Sequence, residues 1–149
     1  MTDLKQKLHQ ECLNYVQHSI AAAQLGITEA QQAAQDDTKS SAGDKYETGR
    51  EMMQQETNRN LTQLHAANKL KVAMDRIPVA DTSIIDNGSI VITDAGNFYL
   101  AISAGTLNVD GNTYTAISLA SPIGQKMKGS STGDVFEVNG KRYAITQVL

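Results

Sequence analysis

The sequence predicts an α+β protein: an N-terminal antiparallel helical coiled-coil hairpin, followed by a small antiparallel-sheet domain with one short helix. Three observations predict the helices and strands. Through residues 1–77 apolar side chains recur at three- and four-residue steps, the period of a helix face. Glycine and proline then change: 1–77 hold three of the 11 glycines and no proline, whereas 78–149 hold the other eight and both prolines. Finally, short β-rich runs after Pro78 alternate with turn dipeptides. The expected division is therefore 1–77 and 78–149.

The first helical arm reads Leu4, Leu8, Cys12, Tyr15/Val16, Ile20, Ala23, Ile27, Ala30 and Ala34, ending near Gln35. Gly26 and Thr28 weaken it and predict a kink. The second arm reads Met53, Thr57, Leu61, Leu64, Ala67/Asn68, Val72, Met74 and Ile77, starting near Tyr46. Each arm has about 32 residues and a length of about 48 Å, and a short polar join folds such a pair most simply as an antiparallel hairpin. A hairpin that long buries little apolar area, so its shape suits reaching.

In the second part, "GSIVIT" (88–93) and "NFYLAIS" (97–103) flank the turn residues Asp94 to Gly96. Asp110-Gly111 separates "TLNV" from "NTYTAIS", and Asn139-Gly140 separates "DVFEV" from "KRYAITQVL". Such dipeptides are the strongest local hairpin signals. "SPIGQKMKG" predicts the short helix, with Ser121 as N-cap, Pro122 at the first helical position and Gly129 as the stop.

A net charge of −3 gives no support to broad binding of nucleic acid or of an anionic membrane. Cys12 is the only cysteine, which excludes an internal disulfide and fits a reducing cytoplasm. No stretch approaches the roughly 20 apolar residues that cross a bilayer. His9, His18 and His65 lack ligand spacing and read as surface or seam residues, and no nucleophile constellation or phosphate loop is present.

The informative stretch is "TKSSAGDKYETGREM" (38–52), the centre of an acidic tip near 36–50. Asp44 and Glu47 admit two readings. A capping box, with Ser41/Asp44 as a second one, would satisfy the helix start and its dipole. Alternatively, two carboxylates at an exposed apex would share a divalent cation that another molecule helps to hold; Mg²⁺ takes oxygen ligands and keeps waters. Lys39, Lys45 and Arg50 surround the apex as candidates for steering RNA or as solvated surface, with Arg59 farther along. Tyr46, Met52 and Met53 read as packing residues.

These motifs together resemble the bacterial transcript cleavage factors of the GreA/GreB family, over essentially the whole chain. The family tip Gly-Asp-x-x-Glu-Asn corresponds to Gly43, Asp44 and Glu47, and "SPIGQKMKGSSTGDVFEVNGKRYAITQVL" follows its C-terminal pattern. The resemblance implies a helical hairpin joined to an FKBP-like domain. It implies a partner, bacterial RNA polymerase, on which the C-terminal domain docks through Ser121, Pro122, Ile123 and Gly124. The hairpin would enter the secondary channel, where Asp44 and Glu47 position Mg²⁺ shared with the polymerase next to the nascent RNA 3′ end. The factor would then stimulate the polymerase's own cleavage of backtracked RNA, with no enzyme activity, tightly bound cofactor, direct DNA binding or membrane contact of its own. Departures from the pattern are Thr48 in place of Asn, the longer apex "DDTKSSAG", Ala120 before the Ser-Pro, and Gly129-Ser130 in place of Gly-Lys. They keep a second role in view, a channel-binding modulator or inhibitor without cleavage stimulation. Prolyl isomerase activity is disfavoured: its aromatic-lined pocket would have to come from Phe98, Phe136, Tyr99, Tyr114 and Tyr143, without tryptophan.

Overall fold

The computed structural model describes residues 2–39 and 43–149, and the side-chain surroundings of all of these except 2, 34, 36–39 and 43–48. Two helices, α1 (Thr2–Lys39) and α2 (Gly43–Asp75), precede β1 (Ile90–Thr93), β2 (Gly96–Leu100), β3 (Gly105–Val109), β4 (Asn112–Ile117), α3 (Pro122–Met127), β5 (Val135–Val138) and β6 (Lys141–Val148). The fold class is the predicted one. The chain divides into two compact units, residues 16–71 on the one hand, and 1–15 together with 72–149 on the other.

In unit 16–71 the helices pack along a stripe that alternates steps of three and four. Val16, Ala23 and Ala30 are buried on α1, and Asn60 and Ala67 on α2, with Ile20, Ile27, Met53, Thr57 and Leu64 half-buried between them. The expected kink at Gly26 is not a break, for α1 runs unbroken to Lys39, four residues past the predicted end. Thr28 instead returns its hydroxyl to the Gln24 carbonyl at 3.1 Å. The glycine serves the other helix: a Cβ on Gly26 would lie 2.5 Å from Asn60 Oδ1. Asn60 Nδ2 donates to the Glu56 carbonyl at 3.0 Å, so this buried amide keeps a partner. Leu61, predicted to face the seam, is exposed, and so is Asn68. The register of α2 is one residue earlier than predicted at this point because small Gly26 receives Asn60.

The other unit is built on one six-stranded sheet in the order β3-β4-β2-β1-β6-β5. Four of its five pairings are antiparallel, but β2 and β4 run parallel, Phe98 opposite Thr115 and Leu100 opposite Ile117. The β3–β4 hairpin folds back so that β4 lies beside β2, a non-local pairing that local turn signals do not encode. Both hairpin dipeptides adopt the left-handed backbone of a type I′ turn: Asp110 and Gly111 have φ of 52° and 81°, Asn139 and Gly140 of 52° and 78°.

The sheet buries both faces. Val91, Phe98, Leu100, Phe136, Ile145 and Val148 form one core with Ile85 and Met127, and Ile123 and Tyr143 pack against it. Tyr143 stacks on Phe136 at 4.9 Å and meets Phe98 edge-on at 5.7 Å. Side chains alternate along a strand, so Ile90 and Tyr99 point to the opposite face, where both are fully buried. The first turns of α1 belong to this unit, with Leu8 and Cys12 fully buried. Lys5 is also fully buried, and its Nζ donates to the Ala80 carbonyl at 2.5 Å, while exposed Lys7 joins Asp110 at 3.1 Å and Asp3 at 3.3 Å. Helix α2 ends at Asp75, two residues before the predicted Ile77, consistent with the restriction Pro78 places on the residue before it.

Candidate functional site

Asp44 and Glu47 fall in the first turns of α2, three positions apart, a spacing at which helix neighbours share a face. The helix begins at Gly43, and that start accommodates acidic residues near the positive end of the dipole. The side-chain surroundings of Lys39, Asp44, Lys45 and Glu47 lie outside the described residues, as do residues 40–42, including Ser41 of the second capping box. Lys39 is the last residue of α1 and Lys45 the third of α2. Arg50 is described and exposed. Arg59 is bound locally, its Nη2 lying 2.8 Å from Glu56 Oε2. As a donor set, one Asp and one Glu carboxylate suit Mg²⁺ but fill too few positions to hold it alone.

Around α3 the geometry separates structural from presented residues. Ser121 has the extended backbone of an N-cap, its Oγ accepting from Gly124 N at 3.1 Å and donating to the Ser118 carbonyl at 2.6 Å. Gly124 is buried, and a Cβ there would lie 2.4 Å from the Ser118 carbonyl oxygen, so backbone excludes any larger residue. Ile123 is half-buried against the sheet core. Pro122 and Ala120 are the exposed members of this segment. Its chemistry is therefore a rigid apolar corner, held from beneath by Ser121 and Gly124.

Sequence reasoning missed a buried polar cluster where α1 meets the sheet unit. Burial holds Lys5 below the usual lysine range, partly opposed by Asp81. It lowers His9 as well, against the pull of Asp75. Burial, with a smaller contribution from Glu11, pushes the Cys12 thiol up to about 12. Tyr99 is raised by burial and by nearby Cys12. Its hydroxyl and His9 Nδ1 are buried with no hydrogen-bond partner among the described residues. No local signal in the sequence marks the burial of Lys5, because the carbonyl it meets is 75 positions away. Among the described residues, no helix is long and apolar enough to cross a membrane.

A paired helical arm with acids at a helix start, and a sheet unit presenting an apolar corner, define a two-unit α+β class. No protein-family model and no curated protein sequence matches the chain. Solved structures that align over most of its length include the two that follow. The crystal structure of GreA factor homolog 1 (Gfh1) of Thermus thermophilus has 18% identity and a TM-score of 0.36, covering 90% of this chain and 92% of that one. A structure of the transcription factor Gfh1 has 18% identity and a TM-score of 0.35, covering 89% and 90%. Superpositions this loose carry no argument about activity.

Proposed function

We propose that the chain is a transcription elongation factor that binds RNA polymerase at its secondary channel and stimulates cleavage of backtracked RNA. The carrying observation is the placement of Asp44 and Glu47 in the first turns of α2, directly after the segment that joins the two helices of unit 16–71. Within that unit the helical segments 16–39 and 43–71 have lengths of about 36 and 43 Å. Further support is the ordered resemblance of tip and C-terminal motifs to the GreA/GreB family. In this reading the two carboxylates help position a second Mg²⁺ and its water, completing a two-ion arrangement that the polymerase owns. Lys39, Lys45 and Arg50 steer the RNA 3′ end or channel-lining acids, and the Ala120–Pro122 corner docks on the polymerase. The factor works on a cytoplasmic polymerase and is not itself an enzyme.

A second reading has the same docking without cleavage stimulation. Thr48 and the longer apex favour it, since both change how the acids would meet the metal. One assay separates the two. Added with Mg²⁺ to stalled, backtracked polymerase complexes, the chain is expected to release short 3′ RNA fragments. Asp44→Asn and Glu47→Gln are expected to lower that rate by at least tenfold while leaving binding intact. Binding without fragments from the unmodified chain selects the second reading, and absence of binding rejects both.

A further inference from the structure

We propose that the sheet unit carries a binding cleft for a small organic phosphomonoester, formed where the end of α2 meets the β4–α3 segment. This inference is separate from the tip and does not depend on transcript cleavage. The cleft has a volume of about 450 Å³, within the range of small-ligand sites. Two cations line it, Arg76 just past α2 and Lys128 at the end of α3, and no carboxylate does. Neither cation forms an ion pair among the described residues. Asp81 and Asp86 line the adjacent depression that shares Lys128, yet neither pairs with it.

Ile77, Ala101 and Leu119 supply an apolar wall, and Asn87 adds an amide able to donate and accept. The wall is held in place. The Ile77 amide donates to the Met74 carbonyl at 3.1 Å, and Ala101 donates to Ile117 at 2.9 Å. The backbone N–H of Asn87 donates to Asp86 Oδ1 at 2.8 Å, and beside it Gly88, at φ 86°, leaves no room for a Cβ next to the Pro78 carbonyl.

Charge and shape together select the ligand. A phosphomonoester carries close to two negative charges at neutral pH, matching the two unpaired cations. Arginine's planar fork takes two phosphate oxygens at once, and lysine adds a point charge. An apolar or aromatic body on the ester would lie on the wall, which a bare inorganic anion leaves uncovered.

The test is an NMR titration of the isotope-labelled full chain with phenyl phosphate, with inorganic phosphate and phenol as separate arms. Saturable shifts are expected at the amides of Ile77, Asn87 and Leu119, with phenyl phosphate binding at least tenfold more tightly than either half-ligand. Arg76→Gln and Lys128→Gln, both exposed positions, are each expected to weaken it about tenfold. If a variant fails to fold, the unmodified chain still reports, because added salt must weaken a charge-selected ligand. The proposal is overturned by no saturable shift up to about 10 mM, by shifts centred elsewhere, by inorganic phosphate or phenol alone binding as tightly as phenyl phosphate, by salt-independent affinity, or by unchanged affinity in the folded double variant.

Discussion

At the scale of single residues, burial turns Cys12 from a reactive thiol into a packing atom. Its thiol is pushed up to about 12, so at pH 8 the folded chain holds it neutral, and thiolate is the reactive form. A thiol reagent at pH 8 is expected to label Cys12 slowly in the native chain and promptly in urea. The same shift fixes a sign for stability. Above about pH 9 the unfolded thiol loses its proton while the folded one keeps it, so the native state binds more protons and stability falls as pH rises toward 12. Tyr99, also raised, acts in the same direction at higher pH. Lys5, lowered by burial, acts in the opposite direction. In urea unfolding from pH 9 to 11, Cys12→Ala should show a stability slope less negative than that of the unmodified chain, by up to about 1.4 kcal/mol per pH unit. An identical slope in the variant would show that the thiol titrates alike in both states.

At the scale of elements, the contact of Gly26 with Asn60 sets how α1 and α2 pair. A polar residue in a helix seam commonly specifies register, and here it lies against Gly26, whose missing side chain leaves it room. Gly26→Ala improves helix propensity by about 1 kcal/mol but drives a methyl into the Asn60 amide. The expected result is net destabilisation in the native background and net stabilisation in Asn60→Ala. A double-mutant cycle by urea denaturation should give a coupling of about 1 kcal/mol or more, and additive effects would remove Asn60 from the register argument. The sequence reading went astray here for a physical reason: hydrophobicity favours Leu61 in the seam, whereas close helix approach at a glycine favours its smaller polar neighbour. Elements set by local chemistry were legible. The type I′ dipeptides and the Ser121–Pro122 helix start each carry their instructions within a few residues. The parallel β2–β4 pairing and the burial of Lys5 were not, because each depends on a partner brought from elsewhere in the chain. At the tip, the sequence made the acids legible by type and spacing, and the backbone adds their place on α2.

At the scale of the whole molecule, the change of composition at Pro78 and the compact units draw different lines. The sheet unit takes in residues 1–15 and the end of α2, so a fragment cut where the composition changes would lack part of its own fold. Removing 1–77 strips away Leu8, Cys12 and Met74, all fully buried, and the buried lysine that holds the Ala80 carbonyl. Each lost apolar side chain is worth roughly 1.5–3 kcal/mol, against a total stability of only 5–15 kcal/mol for an ordinary domain. Tyr99, which neighbours Cys12 in the intact chain, would meet water across a face otherwise sealed. The fragment 78–149 is therefore expected to give poorly dispersed amide spectra, to bind a hydrophobic dye, and to melt without a sharp transition. A chain keeping 1–15 and 72–149, with 16–71 replaced by a short flexible linker, is expected to regain dispersion and cooperative melting. If 78–149 alone melted sharply within a few degrees of the full chain, the first turns of α1 would be an accessory to the sheet unit and not one of its layers.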